Sequence, residues 1–257
     1  MSSKLNSFNF SIENTNFESF VKKISELTKL GEMVKIKFDA DGQMLMYSVS
    51  AKSIQAPIHA FKGYLSDIDS VIKAKSSVPD TGLNFILLTP KNFVKSVKLF
   101  GDETVTGVIK YRPDKKDAHE MVMSSGKLKL NFVGGDPTLI RDLTRQQIEV
   151  LSDADNADFS FSIGKDDLLT IKKLSAASVG NDIVNFYVRD NVLSVGDSKW
   201  NLEIGACNQP DTKLTMNKKY FSSIENLDTI DVNVYERFIV ITTNETLLMI
   251  SLELDEL

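Results

Sequence analysis

The chain has 257 residues, 42% hydrophobic and 25% charged, and its 30 Lys and Arg stand against 35 Asp and Glu for a net charge of −5. That is the balance of a globular protein with room for two ordinary domains. An acidic total excludes a surface that binds nucleic acid everywhere, but leaves room for a local basic face.

The chain opens on a polar lead-in, residues 1–7, with no apolar core of a signal peptide, and no run approaches the ~20 apolar residues of a membrane span. Alternation at Phe8-Asn9-Phe10-Ser11-Ile12 predicts a strand, and a 3.6-residue period predicts a helix over 16–30. Strands 34–38 and 44–50 follow, joined by the hairpin signal Asp41-Gly42. A long connection, 63–82, contains a helical turn at 64–72. The order then recurs: a strand at 83–88, a helix opened by Thr89-Pro90, and strands at 105–111 and 120–123 around a polar turn.

The pattern breaks at Gly134-Gly135-Asp136-Pro137, and 134–157 reads as a polar connecting segment between domains. Beyond it come a strand at 159–163, a helix from Lys165 through Leu174, and a meander of 183–188 and 192–195 about Arg189-Asp190-Asn191. A fourth copy has a strand at 213–216, a helix at 217–227, and strands at 230–234 and 238–242. Four strand, helix, meander units are present. They repeat as architecture rather than as residue identities, and they predict an α+β protein of two similar domains, 1–133 and 158–257.

Each helix carries an apolar stripe, such as Phe17, Phe20, Val21, Ile24 and Leu27 on the first. Lysines occupy the other faces and flanks: Lys22, Lys23 and Lys29; Lys91, Lys95 and Lys98; Lys172 and Lys173; Lys218 and Lys219. All four helices are net positive in an acidic chain. Lysine on a single helix is ordinary solubility; on all four it is segregation of charge onto one class of surface.

Signs of catalysis are missing. His59 and His119 are the only histidines and have no metal-ligand spacing. Gly134-Gly135 lacks the Lys-Ser/Thr of a phosphate loop, and Asp153-Ala154-Asp155-Asn156 lacks the Gly and Glu of a calcium loop. No cofactor is expected. The lone Cys207 offers no disulfide framework and fits a reducing cytoplasm.

The fourfold pattern with a lysine on every helix resembles the DNA polymerase sliding clamps. The length matches their two-domain type, that of proliferating cell nuclear antigen and the T-even-type phages, and is too short for the three-domain bacterial type. Phe132-Val133-Gly134-Gly135-Asp136-Pro137 resembles the phage form, whereas the tail from Glu253 departs from the eukaryotic clamp. The resemblance covers the whole chain without one specific motif. It implies the DNA clamp fold and a homotrimeric ring around duplex DNA, with the ten lysines facing phosphates without reading bases. It also implies a polymerase and an ATP-dependent clamp loader as partners, and transcription factors besides, in the cytoplasm of a host cell if the source is a phage.

The same resemblance implies a partner-peptide groove at Val49, Ile54, Leu139, Ile140, Leu143, Leu252 and Leu254, residues that equally serve to tie the connecting segment down. It implies subunit contacts through edge strands at 126–133 and 192–200, with Leu128, Leu130, Phe132, Leu193, Val195 and Trp200. Two alternatives stay open: a monomeric clamp-folded processivity factor of the herpesvirus sort, and a viral β-rich structural protein.

Overall fold

In a computed structural model, which describes residues 5–51, 56–101, 103–112, 117–243 and 245–253, the alternating Phe8, Phe10 and Ile12 lie buried along β1 (Asn6–Ile12). Two compact units form: Met1–Pro57 with Lys62–Asp142, and Ile58–Phe61 with Leu143–Leu257.

The first unit continues with α1 (Asn14–Leu27), β2 (Val34–Phe38) and β3 (Gln43–Ala51). Next come β4 (Ile58–Asp67), α2 (Ile68–Val71), β5 (Lys73–Ala74) and β6 (Leu83–Leu87). Then follow α3 (Pro90–Val97), β7 (Val105–Tyr111), β8 (Ala118–Ser125) and β9 (Leu128–Val133). One sheet has the order β5-β1-β7-β8-β9, and β4, β3, β2 and β6 are neighbours in that order. All pairs whose register is defined are antiparallel; β7 buries alternate residues, whereas β6 is buried along its whole length. The helical stripe of α1 is buried as expected, and with Phe93, Val94 and Val97 of α3 it closes a single apolar core over the strands.

The second unit has α4 (Arg145–Ser152), β10 (Phe159–Gly164), α5 (Lys165–Ala177), β11 (Ile183–Arg189) and β12 (Val192–Gly196). It continues with β13 (Asn201–Ala206), β14 (Thr212–Asn217), β15 (Thr229–Tyr235), β16 (Phe238–Thr242) and β17 (Thr246–Ser251). The sheet orders are β13-β12-β11-β14 and β10-β15-β16-β17, the latter followed by the first residues of β4. There the Ser251 hydroxyl donates to the Ile58 carbonyl at 2.8 Å. Asp190 and Asn191 take φ of 52° and 62° at the β11–β12 hairpin, the left-handed pair of a type I′ turn.

Four expectations need correction. The fourth helix is only a 3-10 segment, Lys218–Ser223. Asn217 Oδ1 accepts from the Lys219 amide at 3.2 Å and the Ser222 hydroxyl donates to the Lys219 carbonyl at 2.9 Å, so local bonds compete with an α-helical ladder. The helical turn expected at 64–72 is confined to Ile68–Val71, since 64–67 finish β4. The connecting segment holds a helix, α4, opened by a reciprocal cap: Gln147 N donates to Thr144 Oγ1 at 3.2 Å and Thr144 N to Gln147 Oε1 at 2.9 Å. Strand 192–195 is interior to its sheet, whose edge is β13.

Gly134-Gly135 is a close backbone crossing rather than a slack joint. Gly134 N donates to the His119 carbonyl at 2.8 Å and Gly135 N to the Ile86 carbonyl at 3.0 Å. A Cβ at 134 would fall against the Ala118 carbonyl oxygen and the Phe85 ring.

Candidate nucleic-acid interface

In the first unit α1 and α3 lie side by side. Phe20 meets Phe93 edge-on with ring centres 6.4 Å apart, and Phe17 meets Phe100 at 5.9 Å. Burying those rings turns the opposite faces of both helices to solvent. Lys91, Lys95 and Lys98 follow one another at helical spacing on a helix that has no acidic residue, and Lys22 stands on α1. All four are exposed, and none of their ammonium groups pairs with a carboxylate among the described residues. A cleft of about 440 Å³ between the helices is flanked by Lys22, Lys98, Glu18 and Glu26 above an apolar floor that includes Phe17 and Val97.

Two other lysines of this face are engaged. Lys29 pairs with Glu26 at 2.7 Å. Lys23 donates to Ser66 Oγ at 3.3 Å and lies 5.7 Å from the centre of the Tyr64 ring.

The second unit differs. Lys172 Nζ donates to the Ile224 carbonyl at 2.5 Å and to Asn226 Oδ1 at 2.6 Å. Lys218 Nζ donates to the Ser178 carbonyl at 2.6 Å, at the C-terminal end of α5. The two lysines thus cross-tie α5 to the 3-10 segment, each satisfying a carbonyl that its own helix leaves open. Lys173 is exposed, as is Lys219, whose ammonium lies 4.8 Å from the Tyr220 ring centre. The first turn of α5 adds Asp166 and Asp167.

The candidate groove residues fall into different surroundings. Ile54 and Leu254 lie outside the described residues. Val49, Leu139, Leu143 and Leu252 are half-buried, and Ile140 is packed to 3% exposure. Beside Ile140, in the first unit, lies a cluster the sequence did not announce. The Asp142 carboxylate takes the ammonium groups of Lys35 at 3.1 Å and Lys37 at 3.2 Å, and the Tyr47 hydroxyl donates to the Arg141 carbonyl at 3.1 Å. Burial is the largest influence on Asp142 and pushes its carboxyl up. The Lys35 hydrogen bond, with the charges of Lys35 and Lys37, outweighs it and holds the group below the usual carboxylate range. Lys35 and Lys37 sit two apart on β2 and so share a face, which was the available signal.

The candidate subunit contacts also divide. β9 is an edge strand, but Leu130 and Phe132 pack against the core of the first unit, with Phe132 4.7 Å from Phe93, and Leu128 is half-buried. The outward positions of β9 are Lys129, Asn131 and Val133, the last 74% exposed. Leu193 and Val195 are buried within an interior strand. Trp200 is half-buried in the turn before β13, its carbonyl accepting from Asp197 N at 2.9 Å. Among the described residues no group of three His, Cys, Asp or Glu is placed to hold a metal ion, and no helix is long and apolar enough to cross a membrane.

No protein-family model matches the sequence, and no curated protein matches it either. Solved structures do. A DNA polymerase III β chain from Streptococcus pneumoniae superposes with a TM-score of 0.69 at 13% identity, over 97% of this chain and 66% of that one. The DNA polymerase sliding clamp of Bacillus subtilis gives 0.68 at 13% identity, over 98% and 66%. A putative DNA polymerase III β subunit from Eubacterium rectale gives 0.67 at 14%, over 97% and 66%. The architecture is therefore the DNA clamp fold. The chain spans about two thirds of the length of these bacterial proteins.

Proposed function

We propose that this chain is a sliding clamp, a non-catalytic processivity factor that closes as a ring of three copies around duplex DNA and tethers a replicative polymerase. The observation that carries the reading is the exposed row Lys91, Lys95 and Lys98 with Lys22 of α1, none paired with a carboxylate among the described residues, in a clamp-folded chain whose total charge is −5. Such a lining meets phosphates without reading bases. Topology rather than affinity then keeps the ring on DNA, and the tethered polymerase gains effective concentration at the primer end.

Two units per chain support a three-copy ring of the two-domain type. Head-to-tail pairing of the edges β9 and β13 would close it and remove two strand edges otherwise open to uncontrolled pairing. The phage type is supported by the run from Phe132 to Pro137, which resembles the phage form. A polymerase tail and an ATP-dependent loader would dock beside the connecting segment, at Leu139 and Leu143. Transcription factors are further candidates there, and a cytoplasmic setting follows from the role.

The test is retention on circular DNA. A loaded trimer stays on a nicked circle and runs off when the circle is cut. A monomer by native mass, with retention indifferent to free ends, would favour a clamp-folded factor binding by one face. No association with DNA in any form would leave a structural protein as the better reading.

A further inference from the structure

The lysines on the helical faces do not share one environment, and the difference follows the two units. In the first, Lys22, Lys91, Lys95 and Lys98 are exposed with no carboxylate partner among the described residues. In the second, Lys172 and Lys218 deliver their ammonium groups into the Ile224 and Ser178 carbonyls, Lys165 pairs with Asp228 at 2.9 Å, and Asp166 and Asp167 stand in the first turn of α5, the helix of Lys172. An ammonium that already donates to a helix-end carbonyl keeps an N–H to spare but is held in place, and must give up the tie to swing out to a phosphate. One projecting into solvent gives up only water.

We propose that contact with duplex DNA is uneven, carried mainly by the α1 and α3 face of the first unit, while Lys172 and Lys218 are helix-end ties that take no part. The proposal rests on the nucleic-acid reading above and assigns its residues. The occupant is the phosphate backbone of a duplex, because the row is cationic, solvent-facing and regular. With a rise of about 1.5 Å per residue, Lys91, Lys95 and Lys98 span roughly 10 Å along α3. A duplex carries one charge per ~1.7 Å of its axis counted over both strands, so a length of ~10 Å holds about six phosphates around its whole circumference, of which one side can supply partners for three lysines.

The short length of the 3-10 segment is part of the same device. A full fourth helix would carry its lysines on a free face. The 3-10 segment instead ends at Ser223, and α5 must be held against it by side chains. Lys172 and Lys218 do this, and both are half-buried.

The experiment measures the affinity of the full chain for a linear duplex of mixed sequence across a salt series, by fluorescence anisotropy. The variants are Lys91→Gln/Lys95→Gln/Lys98→Gln, Lys173→Gln/Lys219→Gln and Lys172→Gln/Lys218→Gln. Each phosphate neutralised adds roughly 0.9 to the slope of log affinity against log salt, so the α3 triple should lose up to about 2.7 per engaged chain. The Lys173/Lys219 pair should lose less than half as much. The Lys172/Lys218 pair should leave the slope unchanged while lowering the melting temperature. A loss of slope from the Lys172/Lys218 pair, or equal losses from the two units, would overturn the uneven contact and leave the nucleic-acid reading standing. A wild-type chain with no salt-dependent affinity for duplex would overturn the uneven contact, whereas failure of retention on circular DNA would overturn the nucleic-acid reading.

Discussion

Asp142→Asn tests how the connecting segment is fastened to the first unit. The substitution keeps shape and removes a charge that faces two lysines, one of them Lys35 at 2% exposure, while the Asp142 side chain is itself 60% exposed. Orphaning one partner of a fully buried pair costs about 3–5 kcal/mol and losing a surface pair about 0–1, so this mixed case is worth about 1–3 kcal/mol. Lys35 would keep only the Pro137 carbonyl, at 3.5 Å. Urea unfolding at neutral pH should show a lower midpoint with the slope unchanged, and limited proteolysis should cut sooner near residue 142.

The pH dependence has a definite sign. The folded carboxyl lies below its unfolded value of about 3.9, so its contribution is complete above that value and is lost as pH falls through the folded one. Wild type and variant should therefore converge in acid. Lys35→Met/Asp142→Asn, which removes the orphaned cation, should be more stable than Asp142→Asn alone. Equal stability of wild type and Asp142→Asn at neutral pH, or a difference that persists in strong acid, would refute the latch.

Gly134→Ala should destabilise by about 1–3 kcal/mol, because the new methyl meets the Ala118 carbonyl rather than a movable side chain; thermal melts would read it. Phe93→Ala removes a buried ring that touches Phe20 and Phe132 and should cost about 3–5 kcal/mol, measured by chemical unfolding. Val133→Glu places a charge at the outward end of β9 and should leave the melting temperature within a few degrees while, in the proposed three-copy ring, lowering the native mass toward that of a monomer. An unchanged mass would exclude this edge as a subunit contact.

The two periodicities carried most of the fold. Alternation at Phe8, Phe10 and Ile12 and the 3.6-residue stripe from Phe17 to Leu27 follow from which side chains must leave water, so they are readable one segment at a time. Thr144-Arg145-Gln146-Gln147 was equally readable as a capping box, and its polar setting hid the helix it opens. The strand β13 was equally legible, since Leu202, Ile204 and Ala206 alternate with Asn201, Glu203 and Gly205.

By itself, then, the sequence determined the buried faces of β1, α1 and α3 and the presence of lysines on the opposite faces of the helical stretches, since both depend on local spacing. Only the tertiary structure decided which lysines are available. Lys172 and Lys218 look like Lys91 and Lys95 along the chain, but their ammonium groups find carbonyls 52 and 40 residues away, whereas those of α3 are exposed with no carboxylate partner among the described residues. It also decided that Leu130 and Phe132 face inward and that β12 is flanked on both sides. Whether a strand is an edge, and whether a charge is already satisfied, depends on neighbours brought together from distant parts of the chain, and a residue's own stretch of sequence does not contain them.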